Sequence, residues 1–301
     1  MAHAGHFDLA VRAARFGDVA VTNLTRPTPP PIQPTLIACD IDGTLLDEHE
    51  TVTSRTRDAV RSTVAGGAHF VLATGRPPRR VRPVVDALGF PPMAVCANGA
   101  VIYDPATDRV VSACTLAVDI LGELVEIATR VIPDVGLAVE RLGDSAHDST
   151  TPQFVSSVGY DHTWLNSDNT EVSVEDLFSV PAIKLLIRKA GARSADMAAE
   201  LAKHVGIAGD ITYSTNNGLV EILPLGINKA AGVEKVGRPL GIGDGNVAAF
   251  GDMPNDVLML LRAGHGVAMG NSHPDVLAAA DEITAPNTND GVAWVLERWL
   301  R

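Results

Sequence analysis

Two carboxylates stand where a buried strand should give way to a loop. The apolar run Leu36–Cys39 is followed by Asp40 and, two residues later, by Asp42. Both acids would point to one side if the strand stayed regular, because side chains alternate between its faces. Gly43 and Thr44 then break the strand and leave backbone N–H groups free to bind an anion. Open α/β sheets bind ligands at such strand ends, so the pattern predicts a site for chemistry.

The closeness of the two acids predicts a cation. Neighbouring carboxylates repel each other unless a cation lies between them or one of them holds a proton. Mg²⁺ fits because it prefers hard oxygen ligands and binds few carboxylates together with a substrate phosphate. A Ca²⁺ loop would continue with further acids, whereas Leu45 and Leu46 follow here. A capped turn is the ordinary structural alternative for this motif taken alone.

Two further segments carry groups suited to a phosphate. The apolar run Phe70–Ala73 ends in Thr74, a hydroxyl donor, followed by Gly75, which permits close approach, and Arg76, a fixed cation. Lys229 stands at the predicted start of a helix, where its ammonium and free backbone donors could meet one phosphate. These residues predict an anion site near the two acids.

A fourth segment supplies another acid. Asp252 follows the predicted strand Val247–Gly251, and Pro254 occupies a favourable first position of the next helix. Asp252 is a candidate third oxygen ligand, and Asn255 and Asp256 are candidate supports for it.

Each of these residues also has an ordinary structural interpretation. Thr74 could cap a helix, Lys229 could be a solvated surface charge, and Asp256 could complement a helix dipole. Their occurrence together, in this order and each at a strand end, favours the functional interpretation.

The motifs together resemble those of the haloacid dehalogenase superfamily of phosphohydrolases, in its Cof-type branch with a large α/β cap. One departure is Met253, where many relatives carry a small residue, and we expect altered packing there and retained activity. The matching segments span most of residues 34 to 301: Asp40–Thr44, Ala73–Arg76, Ala97–Ala100, Asn228–Lys229, Gly251–Asp256 and Gly266–Asn271.

The resemblance implies a role for each acid. Asp40 would attack the substrate phosphorus and form an aspartyl-phosphate that water then hydrolyses. Asp42 would protonate the leaving alcohol and then take a proton from the attacking water. An Asp40 oxygen, the backbone carbonyl of Asp42, and Asp252 would hold Mg²⁺.

The resemblance also implies a phosphate and substrate-binding set. Its members would surround the transferred phosphoryl group, whose equatorial oxygens carry the transition-state charge. The implied set is Gly43, Thr44, Thr74, Gly75, Arg76, Asn98, Lys229 and Asn255, with Asp256 supporting it.

The resemblance leaves three functions open. An acid at Asp42 favours a phosphatase, because the related transport ATPases and dehalogenases generally lack one there. A phosphomutase is one alternative, which formation of an isomeric phosphate would reveal. A catalytically weak phosphate-binding regulatory protein is the other, although a pure binder has no need of Asp42.

Composition bears on the partners. The 301 residues carry a formal charge of −12, with no basic footprint for nucleic acid or an anionic membrane. We therefore expect a small phosphorylated metabolite as substrate, such as a sugar phosphate or a nucleotide-related phosphate. No apolar run approaches the ~20 residues of a membrane span, and no secretory pattern begins the chain, which predicts a cytoplasmic protein. The oligomeric state stays open.

The alternation of predicted strands and helices indicates the α/β class: a Rossmann-like, doubly wound parallel sheet core with an inserted α/β cap domain. We assign residues 1–33 to an N-terminal extension with a Pro-rich tether and 34–114 to the first part of the core. The cap takes 115–212, and 213–301 form the second part of the core.

Within the predicted cap, helices are expected at Val118–Val131 and Ser194–Val205. The polar stretch from 143 to 169 has little periodicity and predicts loops. Lys184 lies in the apolar run Ala182–Ile187, and we interpret it as an exposed strand residue rather than a rival to Lys229.

Overall fold

The computed structural model describes residues 34–148, 152–162 and 168–300. The predicted extension and tether over 1–33 lie outside the described residues. Within the described part of the chain, no helix is both long and apolar enough to span a bilayer.

The described chain alternates strands and helices. In chain order the strands are β1 Leu36–Cys39, β2 His69–Ala73, β3 Met93–Cys96, β4 Val101–Asp104, β5 Arg109–Ala113, β6 Gly136–Glu140, β7 Phe154–Ser157, β8 Asn169–Val172, β9 Lys184–Arg188, β10 Asp210–Thr212, β11 Leu219–Leu223, β12 Val247–Gly251, β13 His265–Ala268 and β14 Glu282–Ile283. The helices are α1 Ser54–Ala65, α2 Arg82–Leu88, α3 Val118–Val131, α4 Val174–Leu177, α5 Ser194–Val205, α6 Lys229–Gly237, α7 Val257–Arg262, α8 Pro274–Ala279 and α9 Gly291–Trp299.

The first sheet has eight strands in the order β14-β13-β12-β1-β2-β3-β4-β5. Strands β14 through β3 pair in parallel, and β4 and β5 extend the sheet antiparallel. The chain runs outward from β1 through β2 and β3, then returns on the other side of β1 through β12, β13 and β14. The boundary between β1 and β12 is therefore the topological switch point, the usual ligand position in such sheets. The predicted α/β class and parallel core are confirmed.

Both faces of β1 are buried, which explains its unbroken apolar sequence. Ile37 and Cys39 face a cluster that includes α1, α2 and α9. Leu36 and Ala38 face the opposite cluster, which includes α6, α7 and α8. The strand that precedes Asp40 thus lies in the middle of the core.

Residues between β5 and α6 form a second sheet of six strands, in the order β10-β11-β9-β6-β7-β8. Residues from 213 onward were predicted to belong to the core, and Leu219–Leu223 of this range pairs with Lys184–Arg188 of the second sheet. An apolar strand has the same signature in either sheet, so pattern alone did not separate them. The loops predicted for 143–169 also contain a strand, Phe154–Ser157. The division into core and cap domains stays a prediction.

Gly99 shows how closely the loop after β3 approaches the start of α6. Its φ is +101°, and a Cβ there would lie 2.2 Å from the carbonyl oxygen of Asn228, the residue that caps α6. Gly67 has nearly the same φ, +99°, but a Cβ there would meet nothing within 4 Å. Substitution of Gly67 therefore tests backbone strain alone, whereas substitution of Gly99 tests backbone strain together with close packing.

We expect Gly99→Ala to destabilise the protein more than Gly67→Ala. Both substitutions should cost about 1–2 kcal/mol for the left-handed backbone. Gly99→Ala should cost about 1–3 kcal/mol more, because the methyl group displaces the start of α6. Free energies of unfolding from guanidinium titrations check this, and equal losses for the two variants would contradict the proposed close contact.

Candidate active site

The sheet topology brings the predicted catalytic residues together. Asp252 follows β12, Asp40 follows β1 and Thr74 follows β2, and these three strands are adjacent and parallel. The N–H of Asp40 continues the ladder by donating to the carbonyl of Phe250 at 3.0 Å. Side chains distant in sequence therefore meet at one edge of the sheet.

Lys229 lies between two acids. Its Nζ donates to Asp40 Oδ1 at 2.6 Å and to Asp256 Oδ1 at 2.7 Å. The side chains of Lys229 and Asp256 are fully buried, and that of Asp40 is 7% exposed. Lys229 is the first residue of α6, which Asn228 caps by accepting from the N–H of Ala231. The interpretation of Lys229 as a solvated surface charge is excluded.

Asp256 also shapes the loop after β12. Its Oδ2 accepts from the N–H groups of Asp252 and Met253 at 3.1 and 3.0 Å. Both of its oxygens thus accept hydrogen bonds, one from the ammonium and one from the backbone. This geometry supports the predicted role of Asp256 as a residue that positions the others.

Asp252 is oriented by the turn that follows Asp40. The Thr44 hydroxyl donates to Asp252 Oδ1 at 3.0 Å. Gly43 has φ +76°, and a Cβ there would lie 2.3 Å from Asp252 Oδ2, so this position requires glycine. Asn271 donates to the Gly43 carbonyl at 2.8 Å and was not among the predicted site residues, although it ends one of the matching motifs.

The site gathers more negative charge than its lysine offsets. Ligand oxygens of Asp40, Asp252 and Asp256 lie within 4.8 Å of one another. Burial, followed by repulsion from Asp256, raises the pKa of Asp40 well above its usual value and that of Asp252 to about 7. Burial alone would lower the pKa of Lys229, but the charges of Asp256 and Asp40 raise it. Three buried carboxylates and one ammonium suit a hard divalent cation with oxygen ligands, so these residues fit Mg²⁺.

Asp42 lies at the exposed side of the site. Its side chain is 56% exposed and accepts two hydrogen bonds from Arg76, Nε to Oδ2 at 2.8 Å and Nη2 to Oδ1 at 2.5 Å. Arg76, predicted to bind phosphate, is therefore a bidentate partner of Asp42 in this structure. The pairing fixes the direction of the Asp42 carboxylate.

Thr74 forms a tight turn with Gly75 and Arg76. Thr74 is fully buried, and its hydroxyl accepts from the N–H of Arg76 at 3.0 Å. An accepted bond leaves the hydroxyl proton for donation to another oxygen. A Cβ at Gly75 would lie 3.3 Å from Asn98 Oδ1, so the two loops pack closely.

Asn98 and Asn255 lie in a buried polar network. Asn98 Nδ2 donates to Glu221 Oε2 at 2.8 Å, and Asn98 Oδ1 accepts from Asn255 Nδ2 at 3.0 Å. Asn98 thus uses its carboxamide within the protein, although it was predicted as a phosphate or substrate contact. Asn255 Oδ1 is buried and has no hydrogen-bond partner among the described residues, so it retains the capacity to accept a bond.

Two charged residues next to the site were not predicted from the sequence. Lys184, interpreted as exposed, is 3% exposed and pairs with Glu221, which is equally buried. Its Nζ also donates to the carbonyl of Gly75 at 2.9 Å. Each is the one charged residue within an apolar run, and that signal is compatible with either burial or exposure.

The chain is similar to several known proteins. A family model described as haloacid dehalogenase-like hydrolase matches residues 37–296. A Bacillus subtilis 5-amino-6-(5-phospho-D-ribitylamino)uracil phosphatase is 31% identical over 284 residues, which cover 89% of this chain and 98% of the relative. An HMP-PP phosphatase from Serratia proteamaculans is 28% identical and covers 88% and 95% of the two chains. A haloacid dehalogenase-like hydrolase from Bacteroides thetaiotaomicron superposes with a TM-score of 0.69 at 26% identity, covering 88% of this chain and 98% of its own.

The burial of Lys229 leads to a stability prediction. We expect Lys229→Met to destabilise the metal-free protein by about 3–5 kcal/mol, because it leaves Asp40 and Asp256 buried without their cation. Unfolding with denaturant in a chelating buffer measures this loss. Lys203→Met, which removes an exposed lysine paired with Glu200 on α5, is the control and should leave stability unchanged. Equal stability of the two variants would show that the ammonium does not compensate the acids.

Proposed function

Because the chain belongs to the haloacid dehalogenase-like hydrolase family, we propose that it is a Mg²⁺-dependent phosphatase that acts through an aspartyl-phosphate intermediate. The observation that carries the proposal is the placement of Asp40. This carboxylate is buried at the switch point of the sheet, and Lys229 holds one of its oxygens at 2.6 Å. A structural acid has no need of this position, whereas a nucleophile does.

Asp40 is the proposed nucleophile. Its carboxylate oxygen attacks phosphorus, the bond from phosphorus to the leaving oxygen breaks, and the phosphoryl group is carried on Asp40 until water displaces it. The Lys229 ammonium keeps one Asp40 oxygen in place and offsets charge on the phosphoryl oxygens. Thr74 donates its hydroxyl proton to another of these oxygens.

Asp42 is the proposed general acid and base. It gives a proton to the leaving alkoxide in the first displacement and takes one from the attacking water in the second. Arg76 fixes the orientation of the ionised form through two hydrogen bonds, and Asp42 can carry the proton for the first displacement once one of its oxygens is released from Arg76. The partial exposure of Asp42 suits this task, because the side chain must meet both a leaving group and a water molecule.

Asp40, Asp252 and the backbone carbonyl of Asp42 are the proposed ligands of Mg²⁺. The metal supplies positive charge that reduces repulsion between an anionic nucleophile and an anionic phosphate. Thr44 orients Asp252 for this task, and Asp256 holds the backbone of the Asp252 loop.

The proposed substrate is a small phosphorylated metabolite, such as a sugar phosphate or a nucleotide-related phosphate, hydrolysed in the cytoplasm. Two relatives support this choice, since one is a phosphatase of a phosphoribitylamino-uracil and the other an HMP-PP phosphatase. The net charge of −12 gives the protein no general attraction for polyanions.

Phosphate release tests the proposal. We expect Mg²⁺-dependent release from members of a panel of sugar phosphates, nucleotides and cofactor phosphates, and Asp40→Asn should abolish it. Asp42→Asn should lower kcat on alkyl phosphates by about 10²–10⁴-fold, because the leaving alkoxide then receives no proton. Its effect on p-nitrophenyl phosphate should be smaller, since nitrophenolate leaves without protonation.

Other outcomes have definite meanings. Formation of an isomeric phosphate in place of free phosphate would identify a mutase. Equal activity of Asp40→Asn and the wild type would exclude Asp40 as nucleophile, and no turnover with Mg²⁺ bound would contradict the phosphatase assignment.

Metal binding is testable without turnover. We expect Mg²⁺ to raise the melting temperature of the wild type. At a hundredfold excess over Kd, binding should add about 2.7 kcal/mol to the free energy of unfolding. Asp252→Asn should lose most of this shift because it removes a ligand charge, whereas Asp244→Asn, an exposed acid outside the site, should retain it. Equal shifts in the two variants would exclude Asp252 as a ligand.

A further inference from the structure

A buried ion pair lies where the second sheet contacts two loops of the candidate active site, the loop after β2 and the loop after β3. Lys184 begins β9 and Glu221 is the middle residue of the adjacent strand β11. Because Leu186 pairs with Glu221, Lys184 is its diagonal neighbour on the same sheet face. Both side chains are 3% exposed. The catalytic scheme proposed above uses neither residue.

Lys184 contacts the loop after β2, and Glu221 contacts the loop after β3. Lys184 Nζ donates to the carbonyl of Gly75 at 2.9 Å. Glu221 Oε2 accepts from Asn98 Nδ2 at 2.8 Å, and Asn98 in turn accepts from Asn255. One ion pair of the second sheet thus reaches the loop after β2 directly, and reaches the loop after β12 through Asn98.

The loops are also joined to each other. The N–H of Asn98 donates to the Thr74 carbonyl at 2.9 Å, and the N–H of Ala97 donates to the Arg76 carbonyl at 2.9 Å. Asn98 itself has a left-handed backbone, with φ 52°. A shift of Gly75 or Asn98 therefore moves Thr74 and Arg76 as well.

Stability alone does not explain why this joint is charged. Replacement of a buried ion pair by apolar residues of similar size is often neutral or stabilising, because burial removes hydration from both charges. The neighbouring strand residues Leu185, Ile187, Val220 and Ile222 are apolar and fully buried. The charged pair adds directional contacts, because Lys184 and Glu221 each form a hydrogen bond with one specific atom of a loop.

A second charged contact lies beside the first. Glu140 of β6 lies directly opposite Lys184 in the register of the sheet. Its Oε1 accepts from Nη1 of Arg79, which follows the Gly75 loop, at 2.5 Å. Arg79 further contacts Asp168 of the second sheet region. Positive and negative groups thus alternate along this contact.

We propose that Lys184 and Glu221 are positioning residues for phosphoryl transfer. Resting on the proposed phosphatase function, the inference is that the pair fixes Gly75 and Asn98 and, through them, the Thr74 hydroxyl and the Asn255 carboxamide. The loops then hold their reactive geometry only while the second sheet is seated on them. The pair acts on the phosphoryl group through the loops and contacts no leaving group.

Kinetics of variants test this role. We expect Lys184→Met to lower kcat by about 10- to 100-fold, the size typical of slight misplacement of catalytic groups. The loss should be similar for p-nitrophenyl phosphate and for the best metabolite of the panel, because the loops act on the phosphoryl group. The inhibition constant of inorganic phosphate should rise as well. Lys203→Met, which removes an exposed lysine of the same region, should match the wild type.

A double variant separates positioning from stability. Lys184→Met combined with Glu221→Met removes both charges and restores apolar packing, so its melting temperature should exceed that of Lys184→Met. Its kcat should stay low, since neither loop regains its hydrogen bond. Recovery of kcat together with melting temperature would show a merely structural role and overturn the inference.

The remaining outcomes are also decisive. Full activity of folded Lys184→Met would overturn the inference, and so would a loss confined to one substrate, which would make Lys184 a leaving-group contact. A wild type without Mg²⁺-dependent phosphate release would instead contradict the proposed function, and this is measured before any variant of the pair.

Discussion

The candidate active site depends on the contacts that the buried ammonium of Lys229 makes with Asp40 and Asp256. Carboxylates of strand ends distant in sequence can share an apolar site only if a cation offsets their repulsion or one of them holds a proton, because charges interact strongly where water is excluded. One ammonium reaches Asp40 and Asp256 at 2.6 and 2.7 Å only when β1, the turn after β12, and the first turn of α6 are neighbours. The strand order that places β12 beside β1 satisfies this requirement.

The apolar sheet around this site creates its chemistry. Burial raises the pKa of Asp40 and Asp252, and Asp256 raises both further. One lysine leaves a surplus of negative charge, and that surplus favours binding of a divalent cation. The same surplus destabilises the folded chain, so the two large apolar clusters on either face of the first sheet must compensate for it.

Local sequence was sufficient for the parts whose partners are implied by chemistry. Strands followed by Asp40 and Asp42, or by Asp252, together predict a site because acids gathered at one edge of a sheet need a cation or a shared proton. It was insufficient for Leu219–Leu223, whose sheet is decided by pairing with residues more than thirty positions away. Lys184 and Glu221 were missed for a related reason: a charge in an apolar strand is stable at an exposed edge or beside a buried partner, and only the pairing distinguishes these cases.

The position of that pair has a consequence for how specificity and chemistry are divided. In the proposed mechanism the phosphoryl group contacts residues of the first sheet, whereas the second sheet contacts their loops through Lys184 and Glu221. A joint made of apolar side chains would hold the sheet in place without fixing its register, because hydrophobic contact is not directional. Hydrogen bonds to the Gly75 carbonyl and the Asn98 amide fix both the place and the register of the second sheet. The charged groups regain hydration when the contact separates. A charged joint therefore gives the second sheet two directed contacts that an apolar joint of equal area lacks.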